Sequence, residues 1–198
     1  MENTQVFISH AKEDNLLVHR IIKILDDNDI KKWVDLEQLD SLGSSVNEKI
    51  NDGLSSSKYF LLLWSDHASK SEFVKKEYNA ATSHDYDILL TKIIIRLDKT
   101  RLPPLLADKK YYEVTEADLE SVVEGIVSKI KYEIKEEITR RFDEYLDETN
   151  NKVKILGLEY KISFILKNSD PVRYQEEFKK WGASQEWIQR NQNKVTNL

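Results

Sequence analysis

The chain has 198 residues, 40% hydrophobic and 33% charged, with a mean hydropathy of -0.57, enough to bury one core and carry a small annex. It contains no cysteine, which excludes a disulfide scaffold, a cysteine nucleophile and thiolate metal sites. A net charge of -5 and a pI near 5.5 argue against direct binding of nucleic-acid phosphates.

No basic region followed by an apolar run opens the sequence, and no stretch reaches the roughly 18 apolar residues of a membrane span. The expected location is therefore cytoplasmic, with no membrane contact. Charge is unevenly spread. Residues 116–150 carry 5 Lys+Arg against 11 Asp+Glu, whereas residues 151–198 carry 9 against 5. These segments either pair with each other, pair with a neighbouring subunit, or form solvated helix faces.

In chain order, Val6-Phe7-Ile8 reads as a short strand. Leu17, Ile21, Ile24 and Leu25 recur at helical spacing, predicting an amphipathic helix over about 14–28. Ile30 to Val34 reads as a second strand, and the Asp-, Ser- and Gly-rich stretch 35–44 as a long functional loop. Ser45 to Glu48 has capping-box spacing, and Val46, Ile50 and Leu54 line one face of a short helix. Tyr59 to Trp64 is apolar on both alternating faces, as expected of a strand at the sheet centre. A second capping box, Ser69 to Glu72, predicts a helix reaching about Ser83 and carrying Phe73 and Glu77. Ile88 to Leu97 reads as a fourth strand, and Tyr111 to Val114 as a short fifth at an edge. A helix from Asp118 carries Leu119, Val122, Val123, Ile126, Val127 and Ile130.

Beyond Tyr132 no strand is compelling. Ile134, Ile138, Phe142, Tyr145 and Leu146 continue a helical stripe, and 171–191 reads as one or two helices containing Trp181 and Trp187. The expected division is a domain over 1–132 and a mainly helical extension over 133–198.

Strands alternating with helices predict an α/β doubly wound parallel sheet, whose ligands sit beyond the carboxyl ends of the strands where the winding reverses. For a flavodoxin-like strand order, that point lies between the first and third strands. Ser9-His10-Ala11-Lys12 and Ser65-Asp66-His67-Ala68 then share one rim, with the 35–44 loop nearby. Dinucleotide-binding and phosphate-loop glycine motifs are absent, as are paired-histidine zinc and G-x-S-x-G signatures, so no metal or bound cofactor is expected. Carboxylate chemistry remains.

Three segments together resemble the Toll/interleukin-1 receptor (TIR) domain family. Val6-Phe7-Ile8-Ser9-His10-Ala11-Lys12-Glu13-Asp14 is similar to the opening of bacterial members. Trp33-Val34-Asp35-Leu36-Glu37-Gln38-Leu39, running to Gly43, is similar to the second strand and BB loop. Phe73-Val74-Lys75-Lys76-Glu77 matches the W-x-x-x-E pattern of the family's third helix, with phenylalanine in place of the usual tryptophan.

The resemblance implies a five-stranded parallel flavodoxin-like sheet and, in catalytic members, cleavage of NAD as substrate at the nicotinamide–ribose bond. The products are nicotinamide with ADP-ribose or a cyclic isomer, and the setting is prokaryotic antiphage immune signalling. It implies Glu77 as the catalytic carboxylate, facing the positive charge that develops on the ribose. Helix statistics alone instead make Glu77 a solvated glutamate among Glu72, Lys75 and Lys76. Phe73 one turn earlier offers a stacking face. Ser9, His10 and Lys12 are implied as substrate-binding, Lys12 as a point charge for pyrophosphate or else a plain surface lysine. Asp40 is implied near the ribose. Asp35, Glu37, Leu39, Leu42 and Gly43 form the BB-loop and assembly set, Asp35 equally a loop anchor and the leucines equally folded inward. Trp33 and Trp64 are expected in the core.

Partners implied are a second copy through TIR–TIR contacts and a sensor or effector protein. The runner-up is a non-enzymatic TIR interaction module, an adaptor or host-mimicking effector. A response regulator is a third reading, for which Asp66 supplies one member of the acidic pocket required.

Overall fold

A computed structural model of the chain describes residues 5–34 and 46–185. The loop residues Asp35, Glu37, Leu39, Asp40, Leu42 and Gly43, the cap residue Ser45 and Trp187 lie outside them. The chain divides into two compact units, Met1–Val127 and Ser128–Leu198.

The first unit is built on a five-stranded parallel sheet of β1 (Gln5–Ser9), β2 (Lys32–Val34), β3 (Ser57–Trp64), β4 (Thr91–Arg96) and β5 (Tyr111–Glu113), in the order β2-β1-β3-β4-β5. The winding reverses between β1 and β3, as the flavodoxin-like reading requires. Phe7 of β1 sits level with Trp33 of β2 and Phe60 of β3. Tyr59 to Trp64 are all buried, which explains why this strand is apolar on both faces.

Helix α1 (Asn15–Asp27) buries Val18, Ile21 and Leu25 at three-to-four spacing. It is preceded by a 3-10 turn over Lys12–Asp14, where sequence periodicity predicts the start of the α-helix. Helix α2 (Val46–Ser55) buries Ile50 and Leu54. Its Gly53 faces the Phe7 and Trp33 rings, which stack at 4.4 Å. A glycine in mid-helix costs about 1 kcal/mol relative to alanine, and here it admits the helix close to the sheet. Trp33 thus packs on the core, and buried Trp64 ends β3 with its Nε1 donating to the Arg101 carbonyl at 3.2 Å.

Two local expectations are corrected. The helix predicted from the Ser69–Glu72 capping box is α4 (Glu72–Ala81), capped by Ser71 through the Val74 amide and not by Ser69, which lies in a separate short helix, α3 (Asp66–Lys70), capped by Ser65 through the Ala68 amide. The Ser69 hydroxyl donates instead to the Asp66 carbonyl. The strand predicted from Ile88 begins only at Thr91. Helix α5 (His84–Asp87) intervenes, Ile88 and Leu89 are 87% and 68% exposed, and Leu90 is the residue that enters the core.

Helix α6 (Leu119–Thr149) runs for 31 residues, so position 132 lies inside it. Leu119–Val127 belongs to the first unit, where Arg20 of α1 pairs with Glu120. In the second unit, Phe142 centres an aromatic cluster with Tyr174, Phe178 and Trp181 at 5.1, 5.1 and 5.5 Å. These last three belong to α8 (Pro171–Ser184), which follows α7 (Ile162–Ser169). Between α6 and α7 lies an antiparallel hairpin, β6 (Val153–Ile155) and β7 (Leu158–Tyr160), turned by Leu156 and Gly157 at φ 51° and 82°. The sequence reading places no strand there, because two three-residue strands are too short to establish a period.

Replacing Gly53 by alanine puts a Cβ 2.7 Å from atoms of the Phe7 and Trp33 rings. Gly53→Ala is expected to cost about 1–3 kcal/mol through overpacking, measured by urea unfolding. A variant as stable as the parent would refute the tight approach of α2.

Candidate active site

The described residues contain six buried polar or charged side chains, and five of them lie at the carboxyl ends of β1 and β3: Ser9, His10, Asp14, Ser65 and Glu77. Each demands a hydrogen-bond partner. Ser9 closes β1, and its Oγ donates to Oε2 of Glu77 at 2.5 Å, at the short end of the range for hydroxyl-to-carboxylate bonds. Glu77 shares the buried stripe of α4 with Val74 and Ala81 and is only 7% exposed. It is therefore not a solvated helix glutamate. The turns of α4 carry Glu72, Lys75 and Lys76 away on other faces, where Lys75 pairs with Glu72.

The same rim holds a second carboxylate. Asp14 ends the 3-10 turn after β1, and its Oδ2 accepts from Ser65 Oγ at 2.7 Å, while that oxygen accepts from the Ala68 amide at 3.0 Å. Burial pushes the Asp14 carboxyl above the usual aspartate range. The Ser65 hydrogen bond and nearby His67 and His10 oppose the rise, and Glu13 adds to it. His10 is buried with Nε2 at 2.8 Å from Asn15 Oδ1.

Loops after β3 and β4 are tied together on this edge. Asp98 Oδ2 accepts from the Asp66 amide and Oδ1 from the Thr100 amide, both at 2.8 Å. Burial works to raise the Asp98 carboxyl, but these bonds outweigh it and hold it below the usual range. Asp66 is exposed and ion-paired with Lys70.

Of the residues singled out by sequence, the fold brings Ser9 and Glu77 into contact and places His10 next to Ser9 in the chain. Phe73 is half-buried one turn before Glu77, with the Lys76 ammonium 5.8 Å from its ring centroid. Lys12 is exposed on the first loop. Sequence reasoning assigned no role to Asp14, and placed Ser65 on the rim without one. The available signal is a serine directly after the central strand and an acid at the end of the turn that follows the first. Among the described residues no group of three or more His, Cys, Asp or Glu is arranged to hold a metal ion.

The Asp14 shift has a definite pH consequence. The folded chain holds a proton at Asp14 more tightly than the unfolded chain, whose value lies near 3.8. The stability linked to that proton is fully present below the unfolded value and is lost as pH rises through the folded one. Asp14→Asn keeps an acceptor for Ser65 and removes this loss. Its stability relative to the parent is expected to increase between about pH 3.5 and about pH 7, read from urea midpoints across that range. A difference independent of pH would contradict the assignment.

The profile of the TIR domain matches residues 6–127. The 2' cyclic ADP-D-ribose synthase BtTIR of Bacteroides thetaiotaomicron is 28% identical over 124 residues, which is 60% of this chain and 43% of that protein. The chain thus spans less than half the length of this relative. The crystal structure of the TIR domain of the Toll-related receptor TRR-2 from Hydra magnipapillata superposes with a TM-score of 0.52 at 22% identity, covering 64% of this chain and 97% of that one. Among the described residues no helix is long and apolar enough to cross a membrane. The sheet order, the site at its reversal point and the profile over residues 6–127 agree: the chain belongs to the TIR domain family.

Proposed function

We propose that this TIR domain is an NAD glycohydrolase that cleaves the nicotinamide–ribose bond, with Glu77 as its catalytic residue. The observation that carries this reading is a carboxylate held on the core stripe of α4 by a buried hydroxyl of β1, at the edge where open α/β sheets bind ligands. The 28% identity to a cyclic ADP-ribose synthase supports the same substrate class.

NAD enters as substrate. The bond between ribose C1 and the nicotinamide ring nitrogen breaks with its electron pair moving to nitrogen, releasing neutral nicotinamide and leaving positive charge on the ribose. A carboxylate beside that charge lowers the barrier, and more so where water is excluded. Water then adds at C1 and loses a proton to give ADP-ribose, or a nucleophile within the same nucleotide closes a cyclic isomer. Lys12 on the first loop serves the pyrophosphate as a point charge, and Phe73 flanks the base or ribose. The reading includes homo-oligomeric assembly and a signalling role in antiphage immunity, for which activity per chain rises with protein concentration.

Concentrated protein incubated with NAD is expected to release nicotinamide. Glu77→Ala and Glu77→Gln should lose about 100- to 1,000-fold in kcat, and Gln still accepts from Ser9. Chromatography with mass detection separates linear from cyclic product. Absence of turnover at every concentration would overturn the glycohydrolase reading in favour of a non-enzymatic interaction module.

A further inference from the structure

Two serine hydroxyls at neighbouring strand ends each hold a carboxylate that the other strand's continuation delivers. Ser9 ends β1 and donates to Glu77 of α4, which follows β3. Ser65 follows β3 and donates to Asp14, which follows β1. All four side chains are buried. The two bonds cross the reversal point in opposite senses and tie each loop to the other strand's end.

The donor inventory fixes the direction of both. A serine hydroxyl has one proton. An ionised carboxylate only accepts, so Ser65 Oγ, which accepts from the Ala68 amide, gives its proton to Oδ2 of Asp14. Ser9 gives its proton to Oε2 of Glu77. Ser9 itself is 0% exposed, less than the carboxylate it holds. A group with no surface makes no direct contact with a ligand arriving from solvent, whereas a glutamate has several side-chain torsions to fix before its charge is aimed.

We propose that Ser9 is a positioning residue that sets the rotamer of Glu77, not a substrate ligand, and that the Ser65–Asp14 bond is the second half of a reciprocal brace that keeps the Ser9 strand end in register with α4. The kinetic consequence rests on the glycohydrolase reading, and the geometric one does not. A pre-aimed carboxylate needs no reorganisation as charge develops, so loss of the brace shows in kcat.

The test uses the full chain and four variants, Ser9→Ala, Ser9→Cys, Ser65→Ala and the Ser9→Ala/Ser65→Ala double. Nicotinamide release from NAD gives kcat and KM, and crystal structures of the parent and the Ser9 variants give the Glu77 rotamer. Ser9→Ala is expected to lower kcat about 10- to 100-fold, as removal of supporting partners typically does, with KM changed less than about threefold. Ser9→Cys, a weak donor of similar size, should fall between parent and Ser9→Ala. Ser65→Ala should lower kcat less than Ser9→Ala. The double variant should lose no more than about twofold beyond Ser9→Ala, because the Ser65–Asp14 bond acts on Glu77 only through Ser9. Glu77 should occupy one rotamer in the parent and a different one, or several, in Ser9→Ala.

A raised KM with unchanged kcat would make Ser9 a substrate ligand and overturn the proposal, as would an unaltered Glu77 rotamer in Ser9→Ala. If Ser9→Ala does not fold, Ser9→Cys decides by the same two criteria. If the parent releases no nicotinamide, the glycohydrolase reading falls alone, and the crystallographic comparison still decides the brace.

Discussion

A carboxylate on the core stripe of a helix constrains everything around it. Glu77 lies between Val74 and Ala81 on the face of α4 turned inward, and an ionised group there without partners destabilises a fold by several kcal/mol. The hydroxyl at the end of β1 answers that cost directly. The bond is possible only if β1 ends level with the second position of the α4 stripe and α4 is rotated to bring Glu77 over it. Ser71, capping α4 through the Val74 amide, fixes where the first turn begins and so sets that rotation.

The rest of the first unit supplies a frame rigid enough to hold this geometry. β3 is buried along Tyr59 to Trp64, flanked by β1 and β4. On the β1 side Phe7 is clamped between Trp33 and Phe60, with α2 brought close at Gly53. Polar side chains are excluded from this interior and gather at one end, where the main chain leaves the sheet and loop amides and hydroxyls become available as partners. Ser65 shows the economy of such a place, since one oxygen both caps α3 and binds Asp14.

Periodicity in the sequence is sufficient for the sheet and its reversal point. Leu17, Ile21, Ile24 and Leu25 recur at helical spacing, of which Ile21 and Leu25 are buried, joined by Val18, and the run from Tyr59 to Trp64 has no polar face. Burial of Glu77 is harder to read, because Lys75, Lys76 and Glu72 disguise a stripe whose other members, Val74 and Ala81, are small. The i, i+3, i+7 spacing is present, but a glutamate in it counts as polar in any hydrophobic pattern. Only the family resemblance singled it out. Ile88 and Leu89 mislead in the other direction: they look like the start of a strand yet face solvent after α5, since apolar residues near a strand are not obliged to pair in it. The break at Ser71 shows that competing caps cannot be ranked from spacing alone. Ser65 and Ser71 each find an amide three residues on, whereas Ser69 turns back to a carbonyl.

The uneven charge of residues 116–198 resolves in the same local terms. Within the second unit, Asp143 and Asp147 lie one turn apart on α6 and receive partners from the basic segment: Lys167 and the Tyr174 hydroxyl on Asp143, Lys161 and Ser163 on Asp147. Burial and the Asp143 carboxylate both push the Tyr174 hydroxyl above its ordinary range, so it remains a donor. Exposed charges of the acidic segment are answered along the helix itself, Arg140 bridging Glu137 and Glu144. Exposed pairs of that kind contribute little stability. The two aspartates matter for geometry instead: each combines a lysine with a hydroxyl donor at partly buried positions, and together with the rings around Phe142 they fix the seats of α7 and α8 on α6. In both units, then, a hydroxyl aimed at a carboxylate sets where an element sits, while apolar packing supplies the stability that lets it stay there.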